Sequence, residues 1–538
     1  MFFLFIYSLF KNYLKTYLYY CFNAMKKKYN KFIFDRQLAD QFWLPIDDNF
    51  YATLNIPTDS WFDLSKTNTN SPTVIQFNKN KQKDIFVTRT QKIKVFPTPY
   101  QKNILLDWIT AYRYMYNATI TYTRKHEIND DKERVKLYNF NKLRKIVNDI
   151  VKNNKQMYDW IKIIKIPQHT LDNAINDVCK AFKSALTNKQ KGNIKDFKLR
   201  YKKESTVKQT ILLEASCFQN NKFKVDALFY IRHLYGEPYK AYRENKNTFS
   251  ASVMGDYIQT SESIKDVNTT SRLTYNKNTN EFMLFVPYEK STENIENREK
   301  MISLDSGKRT FQTGYGMNEV LDIGHTCIKK LDEMVSEIKT IKETIKKISD
   351  DPTYKLKIKK TKKKKFKKTK KKKAEEKSPK KKRKVPIIKK YKKQLYQKQR
   401  KLTNRVDDLH FKTCNYLCNN YDIIVIGRMN VQSIVSKKNK TISQETKESL
   451  LALRQYEFRT RLESKCEERG VKYYDTDEAD TTRTCGCCGG INNKVGGAEI
   501  YECRKCKMKI GRDYNGARNI LLKIYETIKK DHKIEIIQ

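Results

Sequence analysis

Two aspartates and four cysteines are the side chains of this sequence best placed to do chemistry. Asp305 ends the apolar run Met301 to Asp305 (MISLD) and is followed by Ser306-Gly307-Lys308, so it would project from a strand end just before a turn. Asp513 stands in RDYNGARNILLKI, where Ala517, Ile520, Leu521 and Ile524 recur at helical spacing, which puts the aspartate in the first turn of a helix. Each has a plainer reading, Asp305 as a turn former and Asp513 as a helix N-cap. Glu478 lies between them in the chain, at the head of the run DEADTTRTCGCCGG.

Cys485 and Cys488 have two residues between them, Cys503 and Cys506 repeat that spacing, and 14 residues separate the pairs. That is the arithmetic of a zinc ribbon, with a short hairpin folding one knuckle onto the other; the alternative is redox or disulfide pairing. Gly486, Gly489, Gly490, Gly496 and Gly497 give the knuckles backbone freedom, and Cys487 falls out of register as a bystander. Four thiolates close the coordination sphere of zinc, so this metal would hold shape and leave chemistry to the carboxylates.

The chain has 538 residues, enough for two to four domains, and carries 110 Lys+Arg against 60 Asp+Glu, a formal charge of +50. A polyanion is the expected partner. The segment Lys355 to Lys393 holds 24 basic and 2 acidic residues, which still leaves +28 on the rest of the chain. Twelve cysteines, four of them paired as above and the others scattered, exclude a secreted disulfide scaffold. The apolar start, broken by Lys11 and Lys15, is too short to span a bilayer; it reads as an amphipathic extension, or Met25 is the working initiator.

Residues 1–90 read as an N-terminal extension and linker, with Asn/Thr/Lys-rich filler from Lys66 to Lys83. QKIKVF then alternates as a strand, and Thr98-Pro99-Tyr100-Gln101 opens a helix with Leu105, Trp108, Ile109 and Tyr112 on its buried stripe. A second helix follows Pro167 with Leu171, Ile175, Val178 and Phe182 on one face. From Lys208 to Glu289 come short runs, TILLEAS, ALFYIRHL, SRLTY and EFMLFVPY, which suit a β-barrel or sheet with the helices inserted. Their interleaved Tyr, Phe, Lys and Arg fit a nucleic-acid surface or ordinary core material.

After Asp305 the expectations are two more strands, a helix over Lys329 to Ser349, and a disordered basic insert over 351–393. Within that insert PKKKRKV (Pro379 to Val385) matches a monopartite nuclear-import signal, or arises by chance in a lysine-rich tract. A helix over Tyr391 to Leu417, the strand DIIVIG, a helix bearing Phe458, Leu462 and Cys466, the strand VKYYDTDE, the cysteine insert and a last helix complete the order. Three strands, helix, strand, helix, strand, insert, helix is the element order of an RNase H-like nuclease fold. In that fold acidic side chains from strand ends and the last helix meet in one cleft.

At this point KIKVFPTPYQKNILLDWITAYRYMYNATI, ISLDSGKRTFQT, the Tyr421 to Asn430 strand, EADTTRTCGCCGG, YECRKC and GRDYNGARNI together resemble the TnpB/Fanzor family, transposon-encoded RNA-guided nucleases related to type V CRISPR effectors. The resemblance covers most of residues 91 to 538 and none of the first 90. It implies a multidomain α/β plus α+β chain: a β-barrel-like wedge domain over 91–300 with a helical recognition insert at about 97–200, then an RNase H-like (RuvC) nuclease over 301–482. A zinc ribbon over 483–508 and a C-terminal RuvC-like helix over 509–538 follow.

One position departs from the family pattern. Bacterial TnpB proteins usually carry a catalytic glutamate after the Asp422 to Ile426 strand, and here Gly427 stands there, followed by Arg428. The Fanzor branch is similar in relocating that glutamate to just before the Thr-Thr and Cys motif, which selects Glu478, with Asp477 and Asp480 as competitors. The implied assignment is Asp305 bridging two magnesium ions, Glu478 and Asp513 flanking it, and one zinc on Cys485, Cys488, Cys503 and Cys506. Carboxylates are the hard oxygen donors magnesium requires, and Arg512 and Lys308 would offset phosphate charge. The implied partners are a guide RNA and a target DNA, with no membrane, in a monomeric ribonucleoprotein; PKKKRKV points to the nucleus or a site of DNA replication in a eukaryotic cell, and without that signal the location is cytoplasmic. A catalytically silent nucleic-acid-binding protein and a transposase-associated factor are the competing readings, and a plain zinc-ribbon transcription factor leaves Asp305 and Asp513 unexplained.

Overall fold

The computed structural model describes residues 61–68, 74–76, 86–126, 130–164, 166–219, 222–223, 257–265, 267–292, 299–351, 387–436, 442–493, 495–532 and 535–537. The chain divides into two units, one of Phe86–Lys290 and one of Met1–Ile85 with Ser291–Gln538. The N-terminal start, the ALFYIRHL run and PKKKRKV lie outside the described residues. Among the described residues no helix is long and apolar enough to cross a membrane.

The 86–290 unit is a helical layer on a sheet. The helix Pro99–Lys125 starts where the sequence places it: Thr98 Oγ1 accepts from Gln101 N at 3.3 Å while Gln101 Oε1 accepts from Thr98 N at 2.9 Å, satisfying two otherwise orphaned amides. Leu105, Trp108, Ile109 and Tyr112 face Leu171, Ile175, Val178 and Phe182 of the helix Gln168–Gln190 in one core. Of the two alternatives, barrel or sheet, the described residues form the sheet. Among the described residues the strands Lys208–Leu213, Ser271–Asn276, Glu281–Ser291, Phe86–Phe96 and Gln259–Thr260 form, in that order, an open five-stranded sheet. The two-residue strand at one edge offers too little backbone to continue the ladder round into a ring.

The second unit is built on a six-stranded sheet, in the order Leu64–Asn68, Glu319–Ile323, Gln312–Gly316, Met301–Ser306, Ile423–Arg428, Lys472–Asp477. The first four pair antiparallel, and the last three run parallel to one another. Parallel strands covered on both faces must be apolar on both, and all of Ile423 to Gly427 is buried. Alternation sorts the two faces. Ile302, Leu304, Ile424 and Ile426 join a core with the helices Cys327–Asp350, Ile387–Asn420 and Gln455–Arg469. Met301, Ile423, Val425 and Tyr474 instead pack on Ile520, Leu521, Leu522, Tyr525 and Ile528 of the helix Arg512–His532. Each of these side chains, once buried, stabilises by about 1.5–3 kcal/mol, so a one-residue slip that exchanged the faces would cost many times that.

Two boundaries differ from the sequence reading. Residues 61–68, read as extension and filler, supply the edge strand Leu64–Asn68 and bury Trp61 and Leu64 in the core of this unit. Asp63 also accepts from Gly324 N at 2.9 Å through its carbonyl and from Thr326 N at 2.7 Å through Oδ2, placing negative charge at the start of the helix Cys327–Asp350. The basic insert expected over 351–393 is shorter, because residues 387–393 are already the first turns of the helix Ile387–Asn420. Those turns are amphipathic enough to extend the helix before the packed part begins at Val406.

Candidate active site and cysteine cluster

The parallel strands end at a common edge, and that edge carries the acidic residues. Leu304 pairs with Ile426, which makes Asp305 and Gly427 next in register, and Gly427 pairs with Thr476, two residues before Glu478. Side chains alternate along a strand, so Asp305, Gly427 and Glu478 share the face of Met301, Ile423, Val425 and Tyr474. That is the face covered by the helix Arg512–His532. Ser303 Oγ donates to Ala517 O at 2.7 Å, and a Cβ on Gly516 would lie 2.5 Å from Asp305 Oδ2, so the helix rides directly on the Asp305 strand. Asp513 is one turn before Gly516, about 5–6 Å along the same helix face.

Gly427 explains itself in this arrangement. A Cβ there would meet Glu478 Oε1 at 2.5 Å, Cγ at 2.6 Å and Cδ at 2.9 Å. The glutamate side chain lies in the volume that a side chain on residue 427 would fill. The neighbouring acids point elsewhere: Asp477 Oδ1 accepts from Lys523 Nζ at 2.8 Å and Ala479 N at 3.0 Å, and Asp480 is paired with Arg483. Burial works to raise the Asp477 carboxyl, but Lys523 and the Ala479 amide outweigh it and hold it below the usual range.

Glu478 is in the opposite condition. Its Oε1 is buried without a hydrogen-bond partner, and burial pushes its carboxyl up to about 7 against the pull of the Arg459 charge. Asp305 is raised well above the usual range, first by loss of hydration and then by the negative charges of Glu478 and Asp513, with Arg512 opposing. Crowded carboxylates with an orphaned buried oxygen are short of positive charge, and hard oxygen donors of this kind fit magnesium. Asp513 is held by Arg512, with Nε and Nη2 at 3.0 and 2.9 Å from Oδ1, and by Arg309 Nη2 at 3.6 Å. Lys308 turns away to Asp332 at 3.3 Å.

The four cysteines cluster as their spacing predicts. Among the described residues they are the only group of three or more His, Cys, Asp or Glu whose donor atoms lie within 4.8 Å of one another; the carboxylates converge on one edge more loosely. Cys485 and Cys506 sulfurs are 3.6 Å apart, as are those of Cys488 and Cys503, close to the edge of about 3.8 Å in a tetrahedron with zinc–sulfur bonds of about 2.3 Å. The cluster could therefore hold zinc. Each knuckle closes by the same pair of bonds: Cys485 N to Gly490 O and Gly489 N to Cys485 O, then Cys503 N to Met508 O and Lys507 N to Cys503 O. The hairpin Ile500–Glu502 with Lys509–Gly511 encloses the second pair. Cys487 stays outside the group.

Sequence reasoning missed three residues. Asn515, Arg518 and Asn519 are fully buried, and all reach from the Asp513 helix to the backbone of residues 481–486. Their only signal in the sequence is the run of polar residues inside NGARN, on a helix whose neighbours are apolar.

The model of the Cas12f1-like TNB domain matches residues 456–520. A TnpB-like protein of Acanthamoeba polyphaga mimivirus is 28% identical over 506 residues, 89% of this chain and 85% of its own length. The CRISPR-associated endodeoxyribonuclease Cas12f1 of Sulfoacidibacillus thermotolerans is 38% identical over 69 residues, 12% of this chain and 16% of its own. A solved Cas12f1–sgRNA–target DNA complex covers 81% of this chain and 98% of its own, at 12% identity and a TM-score of 0.24, an overlap too weak to support an argument. Similarity to the mimivirus protein runs through most of both sequences, and the domain match covers the cysteine region, so the chain is similar to TnpB-like proteins along most of its length.

Proposed function

We propose that this chain is an RNA-guided, magnesium-dependent DNA endonuclease of transposon type, with an RNase H-like catalytic unit in which Asp305, Glu478 and Asp513 hold the metal. The observation that carries the reading is Glu478 lying in the space above Gly427, with Oε1 buried and unpartnered beside Asp305. Gly427 by itself favours a silent site, and a glutamate filling that space from the next strand supports an active one. The match of residues 456–520 to a Cas12f1-like domain, and of a 69-residue stretch to an endodeoxyribonuclease, supports the same chemistry.

In this reading Asp305, central on the edge, would hold the metal together with Glu478 and Asp513. Bound magnesium would activate the attacking water and stabilise the departing 3′ oxygen. Arg512 and Arg309 hold Asp513 in place and bring positive charge to where a phosphate would lie. Zinc on Cys485, Cys488, Cys503 and Cys506 would be structural. The surplus of basic residues suits a guide RNA and target DNA held by backbone charge, with base pairing supplying sequence selection. PKKKRKV would direct the ribonucleoprotein to the nucleus. The test is to sequence RNA that co-purifies with the chain and to challenge the complex with a randomised target library in magnesium. Cutting next to a defined short motif supports the reading, and tight RNA binding without any cutting refutes it.

A further inference from the structure

The segment from Glu478 to Cys488 is bolted to the Asp513 helix by three buried side chains. Asn519 Nδ2 donates to Thr481 O and Thr484 O, both at 2.8 Å. Asn515 Nδ2 donates to Thr484 O at 2.8 Å while its Oδ1 accepts from Gly486 N at 2.9 Å, and Arg518 Nη1 donates to Gly486 O. At one end of this segment Thr481 N and Oγ1 donate to Glu478 O at 3.3 and 3.0 Å. At the other end Gly486 sits between Cys485 and Cys487, and Cys485 N is itself fixed to Gly490 O at 2.8 Å. An unbroken path of hydrogen bonds therefore runs from the first cysteine knuckle to the backbone of Glu478. The same helix turn touches Asp305 through Gly516.

We infer that Asn515, Arg518 and Asn519 are positioning residues that couple the four-cysteine site to the carboxylate edge, so that occupancy of the cysteines sets the affinity of the carboxylates for a divalent cation. This rests on the proposed metal-binding role of Asp305, Glu478 and Asp513. The acceptors are backbone oxygens, so a knuckle that loses its metal and relaxes must either drag residues 481–486 with it or strand buried donors, and stranding them is heavily penalised. Movement of the segment carries Glu478 off the edge, and a ligand misplaced by about 1 Å is enough to weaken a site. Coupling between two binding sites is reciprocal, so a cation on the carboxylates must also retain metal on the cysteines by the same factor.

The experiment uses the full chain with its co-purified RNA. Manganese binding is titrated by the loss of the free-ion electron paramagnetic resonance signal, in zinc-loaded and zinc-stripped protein. Zinc transfer from loaded protein to a colorimetric acceptor is timed with and without saturating manganese. The expected result is a manganese Kd about 10-fold weaker after zinc removal, within the usual 5–150-fold range of coupling, and zinc transfer slowed by manganese. Asn519→Leu and, independently, Gly486→Ala, whose Cβ would lie 2.5 Å from Arg518 Nη1, should keep zinc yet lose both effects. Zinc transfer is measured on the folded, loaded protein, so unfolding on stripping does not obscure it. Equal manganese affinity in both zinc states with zinc transfer indifferent to manganese overturns the coupling. Absence of manganese binding to zinc-loaded wild type, or binding unaffected by Asp305→Ala, instead removes the carboxylate reading on which it stands.

Discussion

Gly427→Ala tests the relocated glutamate with a single methyl group. The added Cβ would lie 2.5 Å from Glu478 Oε1, 2.6 Å from Cγ and 2.9 Å from Cδ, all far inside van der Waals contact. Overpacking of this kind costs about 1–3 kcal/mol, and the cheapest relief is to swing the glutamate off the edge. A metal ligand contributes several kcal/mol to the transition state, and a loss of about 3 kcal/mol corresponds to roughly 10²-fold in rate. Gly427→Ala should therefore cut about 10²-fold more slowly than wild type while folding normally and binding RNA. The complementary change is the double variant Gly427→Glu with Glu478→Ala, which places a carboxylate into the vacated volume from the neighbouring strand. It should recover at least about 10-fold over Glu478→Ala, since even part of one ligand's contribution is worth that. The assay is single-turnover cleavage of a matched duplex in magnesium. A Gly427→Ala protein that cuts at the wild-type rate would refute the reasoning, because no ordered Glu478 could then occupy the space above residue 427.

Other consequences are open to direct measurement. Zinc content should be about one per chain and fall to near zero in Cys503→Ser, by atomic absorption, because four thiolates complete the site. Trp61→Ala should destabilise the unit that carries Asp305 by about 3–5 kcal/mol, seen as a lower melting temperature, although residue 61 precedes the stretch that resembles the family. His410 is buried neutral, its Nε2 against Leu453 O at 2.9 Å and its Nδ1 against Arg461 Nη1 at 3.0 Å, and burial together with Arg461 depresses its pKa to about 3. The unfolded chain takes up that proton near pH 6.5 and the folded chain does not, so the stability this histidine supports is present above pH 6.5 and lost as pH falls. Between pH 6.5 and 5 the loss is about 2 kcal/mol, read as a falling urea midpoint whose pH slope flattens in His410→Leu.

Much of the site was legible because its parts sit at the ends of strongly patterned elements. Asp305 closes an apolar run, Asp513 opens a helical one, and the cysteine spacing states its own geometry. The resemblance singles out Glu478 over Asp477 and Asp480, but the physical reason lies in the fold: strand parity carries 474, 476 and 478 to the helix-covered face, while Lys523 and Arg483 occupy the other two acids. Asn515, Arg518 and Asn519 were not readable, since their partners are backbone carbonyls and amides about 30 residues upstream and no local pattern announces them. The edge strand Leu64–Asn68 was missed because LSKTN is short and polar, as an edge strand tolerates. The succession of β-like runs suits a barrel and a sheet alike, because succession alone does not fix closure.

The most direct test of the account replaces one oxygen by nitrogen. Glu478→Gln keeps the shape of the side chain beside Gly427 and removes its charge, so RNA and target binding should stay within about two-fold while magnesium-dependent cleavage falls by roughly 10²-fold or more. Cleavage by Glu478→Gln at the wild-type rate would contradict the assignment of this edge as the catalytic centre.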